Sequence, residues 1–149
     1  MLRDEVVKYY YPGNNRNYSC SESMIRAVND YYDLNLPEEV LLASSAFSGG
    51  CWHDEMCGGL SSALMALGIL YSVNGHAHDS DRMKAREAEL FERFDEKFGT
   101  TRCKYLKEHY YIQGIKCEPV LVVIADILED LINRNAIINK RSSVIHYER

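Results

Sequence analysis

Five cysteines offer the most chemistry in this 149-residue chain: Cys20, Cys51, Cys57, Cys103 and Cys117. A thiolate is both a nucleophile and a soft metal ligand, so the same side chain serves redox exchange and ligation. No two cysteines have CxxC spacing, which removes zinc ribbons, zinc fingers, thioredoxin-type active sites and the common ferredoxin runs. CxxCH is absent too, so no haem is expected. Any site is therefore assembled from distant segments. The nearest pair, Cys51 and Cys57, is six apart across the glycine-rich SGGCWHDEMCGG, within reach of a bridge that the sequence does not specify.

The elements that carry these thiols read as helices. In NYSCSESMIRAVNDYYDL, Met24, Ile25, Val28 and Tyr32 fall on one face, and Ser19 with Glu22 forms a capping-box pattern that starts the helix at Cys20. Pro37 opens a short helix, PEEVLLASSAF, with Glu38 and Glu39 at its dipole-positive end, and Gly49 and Gly50 close it. A third helix runs from about Cys57 or Gly58 through Ser72. Its Leu60, Leu64, Leu67 and Ile69 lie among small residues that admit close neighbours, which places it at the centre of the fold. DRMKAREAELFERFDEKFG is amphipathic, with Met83, Leu90, Phe91, Phe94 and Phe98 inward and Gly99 as its stop. Thr100 and Thr101 are candidate caps for a short helix that holds Cys103. KCEPVLVVIADILEDLINRN carries a stripe through Val120, Val123, Ile124, Ile127, Leu128 and Leu131, with Pro119 in its first turn.

The expected fold is all-α: a compact bundle of five or six helices in one domain, residues 1–149. Residues 1–16 read as a lead-in, 17–135 as the helical core and 136–149 as a polar tail. On this reading Cys20, Cys57, Cys103 and Cys117 each stand at or just before the first turn of a helix. Unpaired N–H groups and the positive end of the dipole stabilise an anion there, and can lower a cysteine pKa from about 8.5 by one to several units. The same N–H groups tune a metal-bound sulfur. Gly58 and Gly59 let backbone come close to a bulky cofactor or a facing sulfur. Against this stands the plainer reading, in which free cysteine fills a core as a small apolar side chain.

Other candidates carry less. His76 and His78 beside Asp79 have ligand-type side chains but sit in a polar loop, where solvation is the simpler role, and His53 has no evident partner. Tyr9 to Tyr11, Tyr31 with Tyr32, and Tyr110 with Tyr111 read as packing at the core edge. The acidic residues alternate with basic ones and offer no isolated carboxylate pair for acid–base work. With 17 Lys and Arg against 22 Asp and Glu, and no basic cluster, neither nucleic acid nor an anionic membrane surface is an expected partner. The longest apolar runs fall short of the roughly 20 residues of a membrane span, and MLRDEVVKYYYPG does not read as a signal peptide, which makes the cytoplasm the expected location. In that reducing compartment the cysteines are not expected to form a disulfide framework.

NYSCSESM, the GG ahead of CGGLSSALMALG, FGTTRCKYL and the late cysteine of KCEPVLVVIADIL together resemble the C-GCAxxG-C-C family of redox-active proteins, from about Tyr18 to Leu131. Residue by residue, the family's four cysteines fall on Cys20, Cys57, Cys103 and Cys117, and Cys51 is extra. Where the family tends to have Gly, Ala, two variable residues and Gly after its second cysteine, this chain has Gly58, Gly59, Leu60, Ser61 and Ser62. The resemblance extends to part of the split-Soret cytochromes, dimeric proteins that bind haem and an iron–sulfur cluster. Without the haem attachment motif, only the cluster and a homodimer carry over.

The leading expectation is thus a small redox protein whose Cys20, Cys57, Cys103 and Cys117 bind an iron–sulfur cluster, most simply a two-iron one, and pass electrons to or from an unnamed partner. The alternatives are zinc in place of the cluster, since four thiolates serve both, a metal-free dithiol oxidoreductase or thiol sensor, with Cys57 as nucleophile and Cys20 or Cys51 resolving, and a helical adaptor with buried cysteines.

Overall fold

The computed structural model describes residues 1–139 apart from Pro12 and Asn14, with side chains as far as Arg134. Among the described residues the chain is all-α, with seven α-helices and no strand. They are α1 (Leu2–Tyr10), α2 (Cys20–Tyr31), α3 (Glu38–Ala43), α4 (Gly58–Tyr71), α5 (Asp81–Phe98), α6 (Cys103–Tyr110) and α7 (Glu118–Asn139). The expected five or six helices become seven because the N-terminal lead-in is itself helical.

That helix, α1, is held by tertiary contact. Nine residues are too few to be stable alone, but Leu2, Val6 and Tyr10 recur every fourth position and all three are buried. The backbone N–H of Leu2 donates to Glu129 at 3.1 Å, and Arg3 pairs with Asp126, so α1 is tied along α7 on one side and packs on α2 on the other. The box at the start of α2 forms as expected: Glu22 N–H donates to Ser19 Oγ, and Ser19 N–H to Glu22 Oε2.

Helix α4 occupies the centre, against α2, α5 and α7, with Leu60, Ala63, Ala66 and Leu67 fully buried. Each buried leucine of this kind contributes about 1.5–3 kcal/mol. Ile69, expected inward, is 40% exposed because it falls on the solvent side of the last turn. From α5, Leu90 and Phe94 enter the core, and a chain of rings from Phe94 to Phe98 to Tyr110, with centroids 4.7 and 4.9 Å apart, links α5 to α6.

Three boundaries differ from the sequence reading. Arg102 rather than Thr100 or Thr101 precedes α6, and the Thr100 hydroxyl instead accepts the Arg102 N–H at 3.2 Å. Pro37 occupies the cap of α3 rather than its first position. Helix α7 continues to Asn139, past the expected end at 135, and the remainder of the expected polar tail, 140–149, lies outside the described residues. Among the described residues no helix is long and apolar enough to cross a membrane.

Candidate cysteine redox site

Four of the five cysteines stand where the periodicity placed them. Cys20 is the first residue of α2, Cys57 caps α4, Cys103 is the first residue of α6, and Cys117 directly precedes Glu118, the first of α7. Cys57 and Cys103 are buried, Cys20 and Cys117 half-buried, and all are free thiols. Cys51 is exposed.

A charge on Cys20 raises the pKa of Cys57, of Cys103 and of Cys117, so Cys20 is the common neighbour of the other three. Cys103 acts on Cys57 in the same way, and Cys117 on Cys103. Helices remote in sequence thus bring four thiols to one end of the bundle.

The backbone explains how closely they approach. At Gly58 a Cβ would lie 2.8 Å from Cys20 Sγ and 2.6 Å from the Phe47 carbonyl oxygen, so only glycine lets the start of α4 sit against Cys20. The neighbouring Gly59 faces Leu121 and Ile124 of α7. Residues 55–57 run antiparallel to 101–103: Cys57 N–H donates to the Thr101 carbonyl at 2.9 Å and Cys103 N–H to the Glu55 carbonyl at 2.5 Å. Ion pairs between Arg102 and Glu55, 3.0 Å, and between Lys107 and Asp54, 2.6 Å, fasten the same two segments from outside. Between α3 and this strap the chain takes left-handed backbone at four successive residues, Gly49, Gly50, Cys51 and Trp52, with φ from 57° to 66°. At the two that carry side chains this costs roughly 1–2 kcal/mol each. A Cβ on Gly50 would collide with Cys103 Cβ at 2.6 Å.

The expectation that helix N-termini would depress the thiol pKa values fails for three of the four. Burial pushes the Cys57 thiol up to about 12, the Cys20 charge adds to the rise, and the N–H groups of Leu60 and Gly59 pull it down by less. Burial likewise raises Cys103 to about 11, against an opposing pull from Lys107, and raises Cys117. Removing a thiolate from water costs more than the partial charge of a helix end returns. In the metal-free protein these three thiols are therefore protonated at neutral pH.

The sequence reading missed one residue at this site. Tyr10, 7% exposed, reaches from the last turn of α1 and its hydroxyl accepts the Cys117 N–H at 3.3 Å. The spacing of Leu2, Val6 and Tyr10 was the signal that could have found it. Ser62, the position at which this chain departs from the glycine pattern, is fully buried and its hydroxyl has no hydrogen-bond partner. His53, His76 and His78 are exposed. Among the described residues no three His, Cys, Asp or Glu side chains are grouped to hold a single metal ion. A cavity of about 540 Å³ lined by Asp33, Leu36, Pro37 and Asn74 lies at the opposite ends of α2 and α4, away from the cysteines.

The described residues form an all-α domain in which four free cysteines stand at helix starts. The family model described as "Putative redox-active protein (C_GCAxxG_C_C)" matches residues 18–131, and the chain belongs to that family. Membership supports a general redox role. No curated protein and no solved structure matches the chain.

Proposed function

We propose that the chain is an electron-transfer protein in which Cys20, Cys57, Cys103 and Cys117 hold a two-iron iron–sulfur cluster. The observation that carries this is the approach of four buried or half-buried thiols, in which Cys20 raises the pKa of the other three, Cys103 that of Cys57 and Cys117 that of Cys103. Cys57, Cys103 and Cys117 lack the depressed pKa that an attacking thiol needs, and they gain most from a cation that replaces their protons. Four cysteines are the usual complement of such a cluster, two to each iron. A two-iron cluster, when bound, takes up and returns single electrons.

The residues have separable roles. The four thiols supply the ligands and release their protons on ligation. The N–H groups of Gly59 and Leu60 face the Cys57 sulfur and offset its negative charge, and Gly58 keeps Cys20 close. The strap between residues 55–57 and 101–103 fixes Cys57 relative to Cys103.

Protein purified without oxygen tests this: absorption between about 300 and 500 nm with about two irons and two acid-labile sulfides per chain is expected. A colourless protein that also fails reconstitution contradicts it. The nearness of Cys20 to the start of α4 supports a second reading, a metal-free pair in which Cys20 and Cys57 pass two electrons and two protons to a partner disulfide, which becomes two thiols as the pair becomes a disulfide. Loss of two thiols per chain under mild oxidation, in colourless protein, is its signature.

A further inference from the structure

We infer that the cavity at the ends of α2 and α4 remote from the cysteines binds a small organic ammonium ion, with an apolar body against its leucines and isoleucine and the charge at Asp33. Nothing in this depends on a cluster, because Cys20 and Cys57 stand at the opposite ends of the same two helices.

Size and lining come first. The cavity, about 540 Å³, falls within the range of about 300–1,000 Å³ that small-molecule sites occupy. Leu34, Leu36 and Leu70 line it as half-buried side chains, and Ile69, which the α4 pattern places inward, lines it while 40% exposed. A hydrocarbon chain or ring laid against these four leaves water together with them.

The backbone and one carboxylate set the sign of the charge. Helix α2 ends at Tyr31 and α4 at Tyr71, and the cavity is lined by residues 33–37, directly after α2, and by residues between Ile69 and Gly75 around the end of α4. Two helix C-termini, each with partial negative charge and carbonyls beyond the helical ladder, therefore meet there. Such ends favour a cation, yet neither last turn holds a basic residue. Asp33 adds a full negative charge, the only charged side chain that lines the cavity among the described residues. Asn35 Nδ2 donates to the Asp33 carbonyl at 3.1 Å and to its carboxylate at 3.4 Å, which steadies the acid and leaves the Asn35 amide oxygen as a further acceptor. Arg86 of α5, with its guanidinium 4.2 Å from the Tyr71 ring centroid, does not line the cavity. Acceptors without a cation beside apolar walls suit a primary ammonium and disfavour a carboxylate or phosphate.

The probe is 2-phenylethylammonium, with 2-phenylethanol and 3-phenylpropanoate as neutral and anionic controls of similar shape. Heteronuclear NMR of the full chain as purified follows the methyl groups of Leu34, Leu36, Ile69 and Leu70. Saturable shifts are expected with the ammonium at a dissociation constant on the order of 1 mM, and binding of either control weaker by at least about fivefold. Asp33→Asn removes the charge with a residue that tolerates the left-handed backbone of position 33, φ 52°, and is expected to weaken the ammonium about fivefold, the scale of an exposed ion pair, with the alcohol unaffected. Ile69→Lys, at an exposed position, gives the cavity a cation of its own; it is expected to abolish the ammonium shifts and serves if the asparagine variant does not fold. Absence of saturable shifts at these methyls, equal affinity for ammonium, alcohol and carboxylate, or unchanged ammonium binding in whichever variant folds would overturn the inference.

Discussion

Gly58→Ala puts the close approach of α4 and Cys20 to the test. The new methyl would stand 2.6 Å from the Phe47 carbonyl oxygen and 2.8 Å from Cys20 Sγ, against ordinary contacts of 3.4 Å or more. The carbonyl belongs to backbone and cannot turn aside, so the start of α4 or the cysteine shifts by most of an ångström. Overpacking of this kind costs about 1–3 kcal/mol, and the better helix propensity of alanine returns less than about 1 kcal/mol at a first-turn position. A net loss of about 1–2 kcal/mol follows, which in a domain of this size lowers the unfolding temperature by roughly 3–6 °C. Gly59→Ala is the control: its methyl meets the end of the Leu121 side chain, which can change rotamer at about 0.5–1.5 kcal/mol. The assay is urea unfolding of both variants, with iron content and the alkylation rate of Cys20 on the same samples. Gly58→Ala is expected to lose stability and cofactor together, and Gly59→Ala to stay within about 1 kcal/mol of wild type with cofactor retained. Wild-type stability and Cys20 reactivity in Gly58→Ala, or greater damage in Gly59→Ala, would refute the reasoning.

Three further predictions are independent of that contact. Cys57→Ser is expected to lower iron content at least about tenfold, as loss of a ligand should, and Cys51→Ser to leave it unchanged, because only Cys57 caps α4 among the other thiols; metal analysis of the two variants checks this. The raised pKa values of Cys57, about 12, and Cys103, about 11, give the metal-free protein a stability that is complete below about pH 8.5 and lost as pH rises towards those values. Each thiol then removes about 1.4 kcal/mol per pH unit, so the urea midpoint should fall between pH 8 and pH 10.5, and an unchanged midpoint would count against the buried cluster. Ser62→Ala removes a buried hydroxyl without a partner and should raise stability by about 1 kcal/mol, read as a higher unfolding temperature.

Local signals account for what the sequence made legible. The Ser19 and Glu22 box, the small residues of α4, Gly99 and the long stripe of α7 are decided within a few turns of chain, and each element formed close to its expected bounds. Because those bounds held, four cysteines stood at four helix starts. What escaped the sequence depends on tertiary context. Helix α1 is stable only because α2 and α7 cover Leu2, Val6 and Tyr10, and its charged residues disguise the pattern. The thiol pKa values turn on burial, which spacing alone does not measure and which outweighs the helix-end effect. Tyr10 meets Cys117 across 107 residues, a pairing no local motif encodes.

Electron paramagnetic resonance of protein purified without oxygen and reduced by dithionite reaches the central claim most directly. A two-iron cluster held by four cysteines gains one electron and becomes a half-spin centre, so the account predicts a signal near one spin per two irons that is absent before reduction. Its disappearance in Cys20→Ser, in protein that still unfolds cooperatively, is also predicted. A reduced sample without spin and without iron, together with two thiols per chain that oxidise reversibly, would contradict the cluster and leave the dithiol as the working chemistry of the site.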